Sequence, residues 1–137
     1  MHKFSIKIIM FLLPVFLLIL FVELKYRDIP NEYSYKSQYI EKNEEELKVL
    51  ILGSSHSYYG LNPAHFDQKC FNAALNSQSI NYDHFLLNTY IDKLSNLKFV
   101  ILNISYPTLT KTLEETPDSY IKYYYMTYMD YKNGFIL

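Results

Sequence analysis

The chain carries one short stretch whose residue types could do chemistry, Gly53-Ser54-Ser55-His56, set directly behind the apolar run Val49-Leu50-Ile51-Leu52. A run with no polar alternation suits a parallel strand buried on both faces. Gly53 then permits a sharp, positive-φ turn at the strand's carboxyl end. In open α/β sheets that end is where ligands bind. Such a turn presents Ser55 as a nucleophile, or presents bare backbone N–H groups to an anion. As an ordinary strand-to-helix turn it would need the serines only as caps. The three readings differ in one requirement: a nucleophilic serine needs a positioned base, and the others do not.

The elements that would position this turn follow a simple order. Lys48–Gly53 predicts the first strand, Lys69–Ala73 a second and Lys98–Ile104 a third. Between them, Asn62 with Pro63 reads as the N-cap and first turn of a short helix. Residues 78–94 take on helical period, with Ile80, Leu87, Ile91 and Leu94 sharing a stripe with His84, widened by Phe85 and Tyr90. On that stripe His84 reads as a core histidine rather than a base. Strand–helix–strand–helix–strand implies an α/β fold with a parallel sheet and right-handed crossovers. Past the third strand a loop from Tyr106-Pro107 reaches Thr116-Pro117-Asp118. There Thr116 or Asp118 could cap a helix over 118–130 with Tyr120, Tyr123, Tyr124 and Tyr128 as packing faces. The apolar tail Gly134-Phe135-Ile136-Leu137 looks like the start of another element. Three strands leave open edges that need a partner chain or a further segment to cover them.

The front of the chain belongs to a different solvent. Ile8 to Val22 is uninterrupted and apolar, preceded by Lys3 and Lys7 and followed by Glu23, Lys25 and Arg27. Fifteen helical residues reach about 22 Å, short of a hydrocarbon core of roughly 30 Å. Phe4, Ile6 and Leu24 extend the run to a slightly short transmembrane helix that tolerates Pro14. Phe21 to Tyr26 offers no small residue for a signal-peptide cleavage site, so residues 1–27 read as an uncleaved lipid anchor. Flanking charges nearly cancel, and the very short amino-terminal tail favours exporting the rest of the chain. Residues 28–47, broken from the anchor at Ile29-Pro30-Asn31, read as a solvated juxtamembrane spacer. Residues 48–137 form the single domain that 137 residues allow.

Composition narrows the function classes. A formal charge of −1 offers no electrostatic basis for nucleic-acid binding. The single Cys70 reads as a small buried residue, and no Cys/His spacing matches a zinc site. Fifteen tyrosines against three glycines fit low-GC bacterial coding.

Three blocks, Val49–His56, Phe71–Ser79 and Phe99–Ser105, resemble in order and spacing those of the SGNH (GDSL-type) hydrolase superfamily, in its membrane-anchored, cell-envelope branch. The resemblance covers about residues 48 to 106 and implies a three-layer flavodoxin-like parallel sheet, here incomplete. It implies Ser55 as nucleophile, with Ser54 in place of the family aspartate. The family's Asn-x-Gly-x-x-Gly pattern falls on Asn72, Ala74 and Ser77, which makes Ser77 a backbone oxyanion donor. Ser54, His56 and Asn76 would contact substrate. The third block, Gly-x-Asn-Asp in the family, falls on Ser105, Tyr106, Pro107 and Thr108. Pro107 therefore stands where the oxyanion asparagine should be, with no amide to give. The family's carboxyl-terminal Asp-x-x-His is absent from these 137 residues. The resemblance thus implies an esterase or O-acyltransferase of acylated polysaccharide, single-pass in the bacterial cytoplasmic membrane with its globular part outside, using no cofactor or metal. An inactive relative that binds an anion or glycan, and a truncated gene product, are the alternatives.

Overall fold

The computed structural model describes residues 2–132, with side chains from Phe4 onward; the apolar tail at 134–137 lies outside the described residues. The chain divides into two compact bodies, residues 1–31 and 32–137. The first is one helix, α1, His2–Arg27, with Pro14 inside it. Within its span Phe4–Arg27 the most apolar stretch has mean hydropathy 2.7, and none of that stretch is buried within the protein. Twenty-four residues reach about 36 Å, so the helix is long enough to cross a hydrocarbon core rather than slightly short of it. The charged residues that bound the apolar run in the sequence are carried inside the helix. Arg27 closes an i,i+4 pair with Glu23 at 2.9 Å.

The second body is an α/β domain around a three-stranded parallel sheet in the order β2-β1-β3. The strands are β1, Val49–Leu52; β2, Cys70–Asn72; and β3, Phe99–Leu102. Register aligns Leu50 with Phe71 on one side and Val100 on the other, and Leu52 with Leu102. All four residues of β1 are buried, as the unbroken apolar run requires of a central strand. The helices are α2, Glu32–Lys42; α3, Ser55–Gly60; α4, Ile80–Tyr90; α5, Tyr106–Thr110; and α6, Lys122–Tyr128. Pro63–His65 is a single 3-10 turn capped by Asn62, whose side-chain oxygen accepts from Ala64 N–H at 3.0 Å.

The two faces of the sheet are unequally covered. Leu50, Leu52 and Phe71 pack with Ile40 of α2, with Tyr82, Phe85, Leu86 and Tyr90 of α4, and with Tyr125 of α6 in the main core. Among the described residues, the cluster on the opposite face is smaller: Val49, Ile51 and Cys70 with Leu61, Phe66 and Ile101. On β3, Phe99, Val100 and Leu102 remain exposed although the run is as apolar as β1. An edge position, not composition, sets that difference.

Four expectations change. Residues 32–42 are not a solvated spacer: α2 buries Lys36, Ser37 and Ile40 in the domain. The buried face of α4 is Tyr82, Asp83, Phe85, Leu86 and Tyr90, while Ile91 is 43 % exposed and His84 is half-buried beside Asn88. The apolar stripe is thus rotated from the one built on Ile80, His84 and Ile91, because two bulky tyrosines serve as core residues. The segment read as a loop after β3 contains α5 and a 3-10 turn at Leu113–Glu115. The helix read over 118–130 begins as a 3-10 turn, Ser119–Ile121, and packs through the buried Tyr125.

Candidate functional site

Strand order β2-β1-β3 puts the switch in strand order between β1 and β3, where a crevice opens at the strands' carboxyl ends. Gly53 ends β1 with φ 122°, and a Cβ there would lie 2.7 Å from Ser57 Oγ and 3.3 Å from the Asn103 carbonyl oxygen. Glycine is required on both counts. The turn hands the chain to α3, with Ser54 at the N-cap position and Ser55 in the first turn. Ser54 is nearly buried, Ser55 half-buried and His56 exposed.

A cavity of about 220 Å³ gathers residues from three loops. Ser54, Ser55 and His56 come from behind β1; Ser77, Gln78 and Ser79 from behind β2; Ser105, Pro107 and Thr108 from behind β3. Lys111, Thr112, Thr116 and Asp118 close its far wall. Of the residues expected to form a site, Ser54, Ser55, His56 and Ser77 therefore share one cavity. Asn76 does not line it: this exposed side chain donates to Tyr59 Oη at 3.3 Å.

Ser77 is held with φ 56°, a left-handed conformation that favours glycine. Its Oγ donates to the Asp118 carboxylate, so the side chain is tied back. Asn72 fastens the loop from the other direction, donating to the carbonyls of Ser57 at 2.8 Å and Leu61 at 2.9 Å and accepting from Ala74 N–H at 3.0 Å. One amide thereby locks the end of β2 to the end of α3. Pro107 occupies the first turn of α5, where a missing N–H costs nothing. Thr108 secures that start: its Oγ1 accepts from Ser105 N–H at 2.8 Å and donates to Ser105 O at 2.7 Å.

Beneath the turn lies a buried polar chain that sequence reasoning missed. Tyr125 Oη donates to Gln78 Oε1 at 2.7 Å, and Gln78 Nε2 donates to Asp83 Oδ1 at 2.6 Å. The same Asp83 oxygen accepts the N–H of Gly53 at 2.7 Å. Burial pushes the Asp83 carboxyl up to about 6, against the opposing pull of the Gln78 and Gly53 bonds. Burial also holds Tyr125 in its protonated, donating form. Asp83 thus fixes the Gly53 peptide two residues ahead of the half-buried Ser55. Its signal in the sequence was a carboxylate one turn after Ser79 on a helix of otherwise apolar phase.

Among the described residues, the histidine bonds run elsewhere than Ser55. His56 Nδ1 lies 3.5 Å from Ser54 Oγ, and the His84 ring meets Asn88. Ser79 Oγ, on the cavity wall and buried, has no partner among them. No group of three His, Cys, Asp or Glu side chains among them could hold a metal ion. Chemically, the cavity offers the half-buried hydroxyls of Ser55, Ser77 and Ser105 within a hydroxyl-rich wall, together with the His56 imidazole, the Lys111 ammonium and the Asp118 carboxylate. Comparison with family models, curated proteins and solved structures gives no match for this chain.

Proposed function

We propose that the chain is a membrane-anchored, SGNH-like serine acyl-transfer protein acting on an acylated polysaccharide of the bacterial cell envelope. The single observation behind this reading is the convergence of Ser55, Ser77 and the Ser105–Pro107 turn on one cavity at the sheet's carboxyl edge. The left-handed backbone at Ser77 adds weight, because the matching position of the family pattern is a glycine. In this reading the sheet is the amino-terminal part of a three-layer flavodoxin-like fold. The anchor α1 lies in the cytoplasmic membrane, and the domain faces outward.

Ser55 Oγ attacks the acyl carbonyl carbon while its proton passes to an imidazole. The N–H groups of Ser55 and Ser77 stabilise the oxyanion, each such donor contributing roughly 10²–10³ in rate. The sugar oxygen leaves with the proton from the imidazolium, and water or an acceptor hydroxyl then takes the acyl group from Ser55. Pro107 removes one donor, so this oxyanion hole has two backbone donors. In this reading the imidazole is supplied by a further segment or a partner chain, since His56 Nδ1 lies 3.5 Å from Ser54 Oγ and the His84 ring meets Asn88. That same gap favours a second reading, a binding module in which Ser55 contacts ligand without reacting.

Exogenous imidazole separates the two. The full chain in neutral detergent should hydrolyse p-nitrophenyl acetate only when imidazole is added, at a rate at least about tenfold above that of Ser55→Ala under the same conditions. A fluorophosphonate adduct on Ser55 should accompany it. Identical rates for the chain and Ser55→Ala at every imidazole concentration would remove the enzyme and leave the binding module.

A further inference from the structure

Ser55, behind β1, and Ser77, behind β2, stand on separate loops, and their N–H groups can serve one oxyanion only if the loops keep a fixed spacing. Each donor has to lie about 2.7–3.1 Å from the charge it stabilises. A misplacement of about 1 Å costs on the order of 10² in rate. Among the described residues neither N–H has a backbone acceptor, so neither is spent within the backbone. Their separation depends on what ties the two loops together beneath the cavity.

One carboxylate oxygen provides the tie. Asp83 Oδ1 accepts the Gly53 N–H at 2.7 Å and Gln78 Nε2–H at 2.6 Å. Gly53 lies two residues before Ser55, and Gln78 is the residue after Ser77. The Gly53 carbonyl also accepts the Leu75 N–H at 3.2 Å, so Gly53 is bound at both its backbone groups. Tyr125 of α6 sets the direction of the Gln78 amide. Its hydroxyl, kept protonated by burial, donates to Gln78 Oε1 and so turns the NH₂ toward Asp83. Gln78, Asp83 and Tyr125 are all buried, so water does not compete for these bonds. A bond to an ionised acceptor is roughly twice as strong as a neutral one, which makes the carboxylate a firm clamp. It is also costly: burial raises this carboxyl to about 6, a penalty that an aliphatic residue in the same helical phase would not carry.

We infer that Asp83 is a positioning residue: through one oxygen it clamps the Ser55 turn and the Ser77 loop at the spacing that lets both N–H groups meet one oxyanion. The consequence for rate rests on the acyl-transfer reading; the clamp itself does not. Among the described residues, Tyr125 is the titratable group that faces Asp83 from another element, and it stays protonated. Burial and the two accepted bonds set the Asp83 carboxyl, so loss of its charge weakens both bonds in one step.

Nuclear magnetic resonance of the full chain in neutral detergent tests the clamp directly. The chain has three glycines and three glutamines, and Gly53 alone among the glycines follows a leucine. Labelling with ¹⁵N-glycine, side-chain ¹⁵N-glutamine and ¹³C-carbonyl leucine therefore singles out the Gly53 amide. On acidification from pH 7.5 to 4.5 that amide and one glutamine side-chain amide should shift together with a single midpoint near 6. Asp83→Asn should abolish both shifts, and Ser55→Ala should leave both in place. With imidazole present, fluorophosphonate labelling of Ser55 should slow at least about tenfold in Asp83→Ala and return to within about threefold of the parent in Asp83→Asn, which keeps the oxygen. A Gly53 amide that does not titrate, different midpoints for the two amides, or equal labelling rates in the parent and Asp83→Ala would overturn the assignment. A parent that takes no label ends the acyl-transfer reading instead, and the paired titration then decides the clamp by itself.

Discussion

Asp83 holds the turn that presents Ser55, and it does so at a cost that pH can reveal. Its carboxyl is raised from 3.8 to about 6 by burial, so the folded protein binds its proton more tightly than the unfolded chain does. Between these values stability falls as pH rises; the penalty is absent below 3.8 and complete above about 6. A difference of that size corresponds to roughly 3 kcal/mol. Asp83→Asn keeps an oxygen for the Gly53 and Gln78 donors while removing the charge. Urea unfolding from pH 4 to 7 should show a flattened slope in the variant and a gain of about 1–2 kcal/mol at pH 7, less than the full penalty because the new NH₂ needs an acceptor. An unchanged slope would place the titration elsewhere. At this scale the sequence was readable where the signal is local: Gly53 must turn, and Ser55 follows it. Asp83, Gln78 and Tyr125 were not readable, because their meeting depends on the phase of α4 and on a helix far away along the chain.

Elements were legible in proportion to how far their composition departs from solvent-like. The apolar runs of β1 and β3 and the Asn62-Pro63 start stand in the sequence much as they do in the fold, within a residue or two at each end. Helix α2 was hidden because its inward face is Lys36, Ser37 and Ile40, helped by Tyr33 and Tyr39, which pack partly buried against the main core. Lys36 satisfies the Ala74 carbonyl, Ser37 Oγ meets Tyr90 Oη at 2.9 Å, and Ile40 is the one aliphatic contribution to the main core. A polar residue buried with a partner reads, in one dimension, like a polar residue in water. Ile40→Ala tests whether α2 belongs to the domain: its side chain is 1 % exposed, and truncation should destabilise residues 32–137 by about 2–4 kcal/mol in urea unfolding. A loss under about 0.5 kcal/mol, the size of an ordinary surface substitution, would return α2 to the status of a connector.

At the scale of the whole molecule, two kinds of apolar surface have different destinations. That of α1 is continuous around the helix and long enough for lipid, while that of β3 is a strand edge beside a thinly covered sheet face. Phe99 at 56 % exposed, Val100 at 38 % and Leu102 at 38 % lie in register with a fully buried central strand, so the exposure is not a matter of broken pairing. Parallel sheets are ordinarily covered on both faces, and an apolar edge in water templates further pairing. Residues 32–137, freed of α1, should therefore sediment as concentration-dependent oligomers. Val100→Lys places a charge on the exposed strand without touching the Ser55 cavity or the main core, and edge lysines act against strand addition. The variant should sediment predominantly as a monomer at concentrations where the parent does not. If the parent domain is already monomeric at 100 μM (roughly where weak edge contacts register), the β3 surface is tolerated by water and its exposure has no consequence for assembly.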